Sequence, residues 1–196
     1  MMSLIKRRNK GLEVTLDSGF TGIYDQYAPR FLGVCYRYCG NLEDAEDVMH
    51  DAFMSIIANR NKFQPRGEGS FEAWMKKIMV NTALKFIRQS SKHRKLLVFD
   101  TIENERDIPD EEEPGGYPEV SKEFLLDLIT QLPVGYRMVF NFYVMENYSH
   151  KEIANLLQCS ENTSKSQLSK ARAWLQKRIV ESEKTKVYEQ RTASIR

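Results

Sequence analysis

Long apolar runs are absent from this chain of 196 residues. No stretch approaches the roughly 20 consecutive apolar residues that a membrane-spanning helix needs, so we expect no membrane insertion. The basic N-terminus, MMSLIKRRNKGLEV, also lacks the apolar core of a secretory signal peptide. Together these absences predict a protein that stays in the cytoplasm.

Cysteine is scarce. The three cysteines, Cys35, Cys39 and Cys159, are an odd number without a disulfide framework, which favours a reducing compartment. Cys35 and Cys39 lie one helical turn apart and, with a nearby His, would suit a metal site. No second close pair accompanies them, so we favour the alternative that both are small buried core residues.

Motifs of nucleotide-binding and zinc-dependent enzymes are also missing. The sequence contains neither a GxxxxGK[ST] phosphate-binding loop nor an HExxH zinc motif. Hydrophobic residues make up 41% of the chain and charged residues 29%, which is typical of a globular protein with one large or two small domains. We predict no cofactor, no bound metal and no enzymatic activity.

Charge is distributed unevenly along the chain. The formal net charge of +2 combines +6 over residues 1–95, −8 over 96–121, +3 over 122–180 and +1 over 181–196. Two basic segments therefore flank an acidic one, an asymmetry that indicates a polyanionic partner. Residues 96–119, which are acidic and contain prolines and paired glycines, predict a flexible linker between two domains.

The stretch from Phe71 to Lys95 predicts an amphipathic helix. Its apolar residues recur at helical spacing, and a second stripe contains cations and one amide. The apolar face is expected to be buried, while the polar face would meet a nucleic-acid backbone, because each phosphate neutralised by Lys or Arg releases counterions. A merely solvated basic face is the alternative. The polar stripe comprises Lys77, Asn81, Lys85, Arg88 and Lys92.

Two further helices are predicted before this stretch. Residues 20–38 keep a helical period, although Pro29 predicts a kink or a break near Ala28. Gly40-Asn41 ends that helix. The next segment, LEDAEDVMHDAFMSIIANRNKF, carries an apolar stripe without a gap and therefore predicts a second helix.

Three carboxylates, Asp44, Asp47 and Asp51, share one exposed face of the second helix. We favour a role in docking a basic partner helix. The first alternative is a structural role near the positive end of the helix dipole. The second is a divalent-metal site of a nuclease, which nothing else in the chain supports.

Residues 120–180 predict a second helical domain. One helix ends at Pro133, and the next is expected to bury Val134, Met138, Val139, Phe142 and Tyr143. A capping box from Ser149 to Glu152 and an N-cap at Ser160 then begin two helices joined by a very short turn. This arrangement predicts a helix-turn-helix, with an ordinary helical hairpin as the alternative.

The exposed side of the last predicted helix is polar and basic. Hydroxyl, amide and cationic side chains of this kind bind phosphates and base edges. The residues on this side are Asn162, Thr163, Lys165, Ser166, Ser169, Lys170 and Arg172.

From about Phe20 to Ile179 the chain resembles bacterial RNA polymerase sigma factors of the two-domain, extracytoplasmic-function type. Three ordered segments carry the resemblance. DAEDVMHDAFMSII is similar to the family's polymerase-docking helix, and FQPRGEGSFEAWMKKIMVNTALKFIRQ to its −10-reading and strand-opening segment. QLPVGYRMVFNFYVMENYSHKEIANLLQCSENTSKSQLSKARAWL is similar to its −35-reading domain. The resemblance implies an all-α fold of two small helical domains joined by a flexible acidic linker, the second a helix-turn-helix.

The resemblance also implies a domain order and a set of partners. The expected parts are a mobile segment at 1–18, region 2 at 19–95, the linker at 96–119, region 4 at 120–180 and a tail at 181–196. The expected partners are promoter DNA, core RNA polymerase through its largest subunit and flap region, and an anti-sigma factor.

The resemblance assigns contact residues to three surfaces. Polymerase binding is expected from Asp44, Asp47, Val48, Asp51, Ala52 and Phe53. Contacts to the −10 element are expected from Arg66, Lys77, Asn81, Lys85 and Arg88. Contacts to the −35 element are expected from Thr163, Lys165, Ser166, Gln167, Ser169, Lys170 and Arg172.

The recognition helix departs from the family pattern at two positions. A Val-Lys-Ser-Arg run is usual after the Thr, whereas this chain has Ser164, Lys165, Ser166 and Gln167. Ser164 removes a buried apolar side chain and Gln167 removes a cation near the DNA backbone. The alternative functions are a helix-turn-helix regulator that acts without polymerase docking, and the metal nuclease considered above.

Overall fold

The computed structural model describes residues 19–89 and 120–193, with side chains over 22–89 and 120–182. The chain divides into two compact units between Ser90 and Ser91. Every regular element in the described residues is helical, as the all-α prediction requires. No helix in these ranges has the length and apolar composition needed to cross a membrane. The predicted mobile segment at 1–18, the predicted linker at 96–119 and Lys92 of the predicted polar stripe lie outside the described residues.

Three mutually packed helices form the first unit: α1 (Gly19–Cys39), α2 (Leu42–Asn59) and α3 (Ser70–Gln89). A 3₁₀ turn at Arg60–Lys62 follows α2. The apolar stripes from which the three helices were predicted pack together in one shared core. The most completely buried large side chains of this core are Phe31, Tyr38, Val48, Phe53, Met75, Met79 and Ile87.

Helix α1 runs through Pro29 without interruption, so the break considered near Ala28 is absent. Pro29 lacks the N–H that would bond to the carbonyl of Asp25. Both residues are exposed, so that carbonyl is accessible to water and the helix tolerates the missing bond. The helix ends at Gly40, whose φ of 85° favours glycine and whose N–H donates to the Tyr36 carbonyl at 2.8 Å.

Cys35 and Cys39 are core residues, as we favoured. They are 0% and 1% exposed, respectively, and the Cys35 sulfur lies 4.0 Å from the sulfur of Met79. Burial raises the pKa of Cys35 to about 12, with nearby Arg37 acting weakly in the opposite direction. Within the described residues, neither thiol belongs to a group of three or more His, Cys, Asp or Glu side chains that could hold a metal.

The second unit contains α4 (Lys122–Gln131), α5 (Val134–Phe140), a π-helical turn (Asn141–Met145), α6 (His150–Leu157) and α7 (Glu161–Ala193). Helix α7 packs against α4, α5 and α6 and continues past the predicted start of the tail at residue 181. The core of this unit includes Ile129, Leu132, Met138, Val139, Phe142, Ile153, Leu168, Ala171 and Leu175.

The predicted helix-turn-helix is formed by α6 and α7. The Ser149 hydroxyl accepts from the Glu152 N–H at 3.3 Å, and the Glu152 carboxylate accepts from the Ser149 N–H at 2.8 Å, which confirms the capping box. Gln158, with a φ of 56°, ends α6. Ser160 then caps α7 by accepting from the Thr163 N–H at 2.9 Å. Local hydrogen bonds thus define both helix ends.

Tyr143 was predicted to be buried, but it is 36% exposed. The reason is the π-helical turn, in which the N–H of Glu146 bonds to the carbonyl of Asn141, five residues earlier, at 3.1 Å. This turn is wider than an α-helical one and rotates later side chains away from the face that a 3.6-residue period predicts. Phe142 stays in the core, whereas Tyr143 turns outward.

Candidate nucleic-acid and protein interfaces

Helix α3 presents an exposed stripe of three cations and one amide. Lys77, Asn81, Lys85 and Arg88 are all exposed along one side. The opposite side is buried in the core through Met75, Met79, Ala83 and Ile87. Asn81 lies between Lys77 and Lys85, so a group with both donor and acceptor atoms is flanked by two positive charges. Such a face suits an anion that also carries hydrogen-bonding edges.

The loop before α3 is held by its own hydrogen bonds. The Ser70 hydroxyl donates to the Gly67 carbonyl at 2.7 Å and accepts from the Arg66 N–H at 3.2 Å. Gly67 and Gly69 have φ values of 116° and 75°, which side chains with a Cβ rarely adopt. The Arg66 side chain is exposed at this end of α3, in the same unit as the stripe.

Three aromatic rings support the same end of α3. The Phe63 ring lies 5.1 Å from Phe71 and 5.4 Å from Trp74, measured between centroids. Trp74 is half-buried, as expected for a ring on the apolar face of the helix. These contacts fix where the loop from residue 63 to residue 70 meets the helix.

On α2 the three carboxylates have different surroundings. Asp47 and Asp51 are exposed, whereas Asp44 is half-buried. The Asn41 amide donates to the Asp44 carboxylate at 2.7 Å, and the Asp44 N–H donates to the Asn41 amide oxygen at 2.9 Å. Asp44 therefore serves the start of the helix, where a negative charge also favours the dipole.

The structure corrects the apolar half of the predicted docking set. Val48, Ala52 and Phe53 are at most 1% exposed and hold α2 in the core, so they offer no surface to a partner. The large apolar side chains that α2 does expose are Leu42, at 54%, and Met54, at 62%. Periodicity identified the apolar stripe correctly, but the stripe packs inside the protein.

Helices α1 and α2 border a cavity of about 430 Å³ that is open to solvent and lined by residues that include Tyr24, Leu32 and His50. His50 is one of these lining residues and stands near the Tyr24 ring, with 6.0 Å between ring centroids. Within the part of the chain that the structure describes, no three His, Cys, Asp or Glu side chains converge at a metal-sized site. Asp44, Asp47 and Asp51 therefore do not form such a group.

Helix α7 exposes part of its predicted nucleic-acid face. Lys165, Ser166 and Arg172 are exposed, and Lys165 forms a 3.1 Å ion pair with Glu161 one turn earlier. The other predicted contact residues, Thr163, Ser169 and Lys170, are half-buried. Exposed cations and hydroxyls thus follow one another along the first turns of the second helix of a helix-turn-helix.

Gln167 differs from the rest of the predicted −35 set in the burial of its amide oxygen. Its side chain is half-buried, and its amide oxygen is buried without a hydrogen-bond partner. The Gln167 side chain therefore packs against the second unit, and its position does not favour a direct contact with DNA. This burial could not be predicted, because helical spacing places Gln167 at the edge between the two faces.

Ser164 is the second departure from the family pattern, and it has a partner that sequence reasoning missed. Ser164 is completely buried, and a hydrogen bond of 2.9 Å joins its hydroxyl oxygen to Nδ1 of His150 at the start of α6. Burial lowers the pKa of His150, and Lys165 adds to this effect. A polar residue at a predicted core position was the available signal, because a buried hydroxyl requires a partner.

Matches to known proteins cover both units. Residues 23–93 match the Sigma-70 region 2 family, and residues 123–175 match Sigma-70, region 4. The ECF RNA polymerase sigma factor SigW of Bacillus subtilis is 25% identical over 91% of this chain and 98% of its own length. The ECF RNA polymerase sigma-E factor of Escherichia coli is 24% identical over 90% of this chain and 92% of its own length.

A structure of the sigma factor RpoE of Bartonella quintana, solved with the anti-sigma factor NepR, is 19% identical with a TM-score of 0.46. The likeness covers 83% of this chain and 96% of that one. The family matches account for the first unit as well as the helix-turn-helix, so a regulator that acts without polymerase is not favoured. The chain belongs to the sigma-70 family, as an extracytoplasmic-function sigma factor that directs RNA polymerase to promoters and is not an enzyme.

Proposed function

We propose that this sigma factor reads and opens the −10 element with α3, reads the −35 element with α7, and binds the largest subunit of core RNA polymerase with α2. The observation that carries the proposal is the exposed stripe on α3, in which Asn81 lies between Lys77 and Lys85. Opening a duplex requires a protein to hold an unstacked base and the phosphates beside it. The amide suits the base, and the cations suit the phosphates.

Helix α2 supplies the polymerase-facing surface. Asp47 and Asp51 would set the register against a basic partner helix, because complementary charges steer and orient an interface more than they strengthen it. The exposed side chains of Leu42 and Met54 would supply apolar contact area in place of the buried Val48, Ala52 and Phe53. Of the predicted set, we therefore retain Asp47 and Asp51 as direct contacts and assign Asp44 to the helix start.

Helix α7 supplies the −35 contacts. Lys165, Lys170 and Arg172 would bind phosphates and orient the helix, while Thr163, Ser166 and Ser169 are short enough to meet base edges in the major groove. The two tasks differ in their salt dependence, because only the phosphate contacts release counterions.

The domain limits and the remaining partners belong to the same proposal. Region 2 would span residues 19–95 and region 4 residues 120–180, joined by the acidic residues 96–119. Support comes from the division between the two units at Ser90 and Ser91. The protein would act in the cytoplasm, contact the polymerase flap through region 4 and be held inactive by an anti-sigma factor.

Run-off transcription tests the proposal. Core polymerase and the purified chain are added to linear templates carrying fragments of the source genome, with core polymerase alone as the control. We expect discrete transcripts only when the chain is present, and their loss when the −10 or −35 element of a responsive template is scrambled. Identical transcription with and without the chain would overturn the proposal.

A further inference from the structure

Four side chains of the second unit form a layered contact, here called the Tyr143 stack. The buried Ser164 hydroxyl hydrogen bonds to His150 at 2.9 Å. The His150 ring stacks on Tyr143, with 4.5 Å between centroids and 22° between planes. The guanidinium carbon of Arg172 lies 5.9 Å from the centre of the Tyr143 ring. The stack therefore joins a buried residue of α7 to an exposed cation two turns further along the same helix.

The first member of the stack, the Ser164 hydroxyl, is buried and requires a hydrogen-bond partner. Ser164 is 0% exposed, and a hydroxyl removed from water is costly unless it is hydrogen-bonded. His150 supplies that hydrogen bond. The bond also holds the imidazole ring in place, because rotation of the ring would leave the Ser164 hydroxyl unpaired. A buried polar pair thus determines where an aromatic ring stands at the surface.

The last member of the stack is Arg172, and the position of its guanidinium depends on the Tyr143 ring. Tyr143 is 36% exposed and lies in the π-helical turn, outside the helix-turn-helix. Stacking on His150 fixes its ring, and the negative face of a fixed aromatic ring attracts a guanidinium. Lys165, Glu161 and Arg172 all lie close enough to His150 to shift its pKa, and these two cations and one carboxylate leave a net positive charge beside the stack. An anion is the ligand that such a surface favours.

We propose that the Tyr143 stack positions Arg172 for a backbone phosphate of duplex DNA. Tyr143 and His150 are then positioning residues for promoter binding, although neither lies on the recognition helix α7. The inference rests on the proposed −35 role of α7. It explains why the chain has a serine where an apolar side chain would otherwise pack, since Ser164 is the anchor of the stack.

The test measures binding of the holoenzyme, formed from core polymerase and the full chain, to a short duplex that carries the −35 element. Arg172→Ala should weaken binding and lower the slope of log affinity against log salt by about one. Tyr143→Ala should weaken binding about two- to fivefold, the range expected for an exposed cation–π contact. It should add no further loss in the Arg172→Ala background, because interacting residues are not additive.

Control variants separate positioning from folding. Val144 is 45% exposed beside Tyr143, and Val144→Ala should leave affinity and thermal unfolding unchanged. Tyr143→Phe keeps the ring and should keep the affinity. His150→Phe leaves the Ser164 hydroxyl unpaired and Ser164→Val leaves the ring nitrogen unpaired, so each should weaken binding. The double variant that combines His150→Phe with Ser164→Val should recover the binding affinity, because replacing both partners of a buried polar pair can be nearly neutral.

The outcomes separate the positioning role of the Tyr143 stack from the −35 role of Arg172 on which it rests. If Arg172→Ala changes neither affinity nor salt slope, the −35 role of Arg172 is wrong and the inference falls with it. If Arg172→Ala acts but Tyr143→Ala has no effect, or an additive one, the stack does not position Arg172 and the inference alone is overturned. Loss of binding in Tyr143→Phe would also overturn it, because the hydroxyl rather than the ring face would then be responsible.

Discussion

The guanidinium of Arg137 donates a hydrogen bond to the Thr130 carbonyl oxygen across 2.6 Å. It also reaches the Leu132 carbonyl at 3.4 Å, and only 5% of the residue is exposed. The last carbonyls of a helix have no partner within it, and Pro133 follows α4 without an N–H to offer. Arg137 therefore caps the end of α4 from within α5 and holds the two helices at their junction.

Arg137→Met should lower the free energy of unfolding of the second unit by about 1–3 kcal/mol, because it leaves buried carbonyls without a charged donor. Urea unfolding followed by circular dichroism measures the change. Arg178→Met is the matched control, since that arginine lies on α7 with 52% of its side chain exposed. A loss no larger than that of the control would mean that the hydrogen bonds of Arg137 contribute nothing beyond packing.

The sequence was sufficient to predict the helices and most of their ends. Each apolar stripe repeats within a few residues, and the capping box from Ser149 to Glu152 acts over one turn, so both can be recognised locally. The same local logic identified the exposed cations of α3 and the buried face of α7, which contains Leu168 and Leu175.

Features that depend on packing between elements could not be predicted in this way. The bond from His150 to Ser164 joins residues 14 positions apart on different helices. The turn that exposes Tyr143 breaks the 3.6-residue period without a proline or glycine to signal it. Arg137 is drawn inside by the carbonyls at the end of a neighbouring helix. For Ser164 and Arg137, a polar group finds its partner only after the helices have packed.

The exposed carboxylates of α2 give a test of polymerase docking. Reversing Asp47 and Asp51 to Lys replaces attraction to a basic partner by repulsion and should weaken core binding by about 1–2 kcal/mol, roughly tenfold. Core affinity is measured by fluorescence titration of labelled protein. Asp25→Lys with Glu68→Lys changes the net charge equally at exposed positions outside α2 and should leave the affinity unchanged. Equal losses in both double variants would contradict a specific role for α2.

The capping box makes the second unit sensitive to acid. Hydrogen bonds from the Ser149 side chain, and then from its backbone, hold the pKa of Glu152 below its ordinary value of 4.5. The stabilisation is therefore present above pH 4.5 and is lost as the pH falls through the lower, folded-state pKa. Glu152→Ala should remove this part of the acid dependence, which urea midpoints at neutral and acidic pH would reveal. An unchanged acid dependence in Glu152→Ala would show that the box does not contribute to it.

Two neighbouring residues of α7 should differ in how they affect −35 binding. Lys170→Ala should weaken holoenzyme binding to all duplexes alike and lower the salt slope by about one, as the loss of a phosphate contact does. Ser166→Ala should instead change the ranking of duplexes that differ at single base pairs, with little change in salt slope. Binding titrations over a set of such duplexes separate the two effects. If both variants weaken every duplex by the same factor, Ser166 does not read a base.

Promoter opening depends on Asn81 in our proposal. Unstacking a base costs a few kcal/mol, so the displaced base must find polar partners on the protein. Asn81 is exposed at the middle of the α3 stripe, where its amide both donates and accepts. Lys77 and Lys85 lie about one turn to either side and suit the phosphates that flank such a base.

Asn81→Ala should therefore keep core binding and −35 contacts but lose about 1–3 kcal/mol of base capture, which is about five- to 150-fold in the fraction of open promoter. Permanganate reactivity of thymines around −10 measures that fraction. Gln89→Ala removes an exposed amide at the end of the same helix and should leave it unchanged. Lys77→Ala and Lys85→Ala should lose less, and their losses should shrink at low salt, because phosphate contacts depend on counterion release. Normal thymine reactivity with the Asn81→Ala variant would show that α3 does not capture the base through this residue.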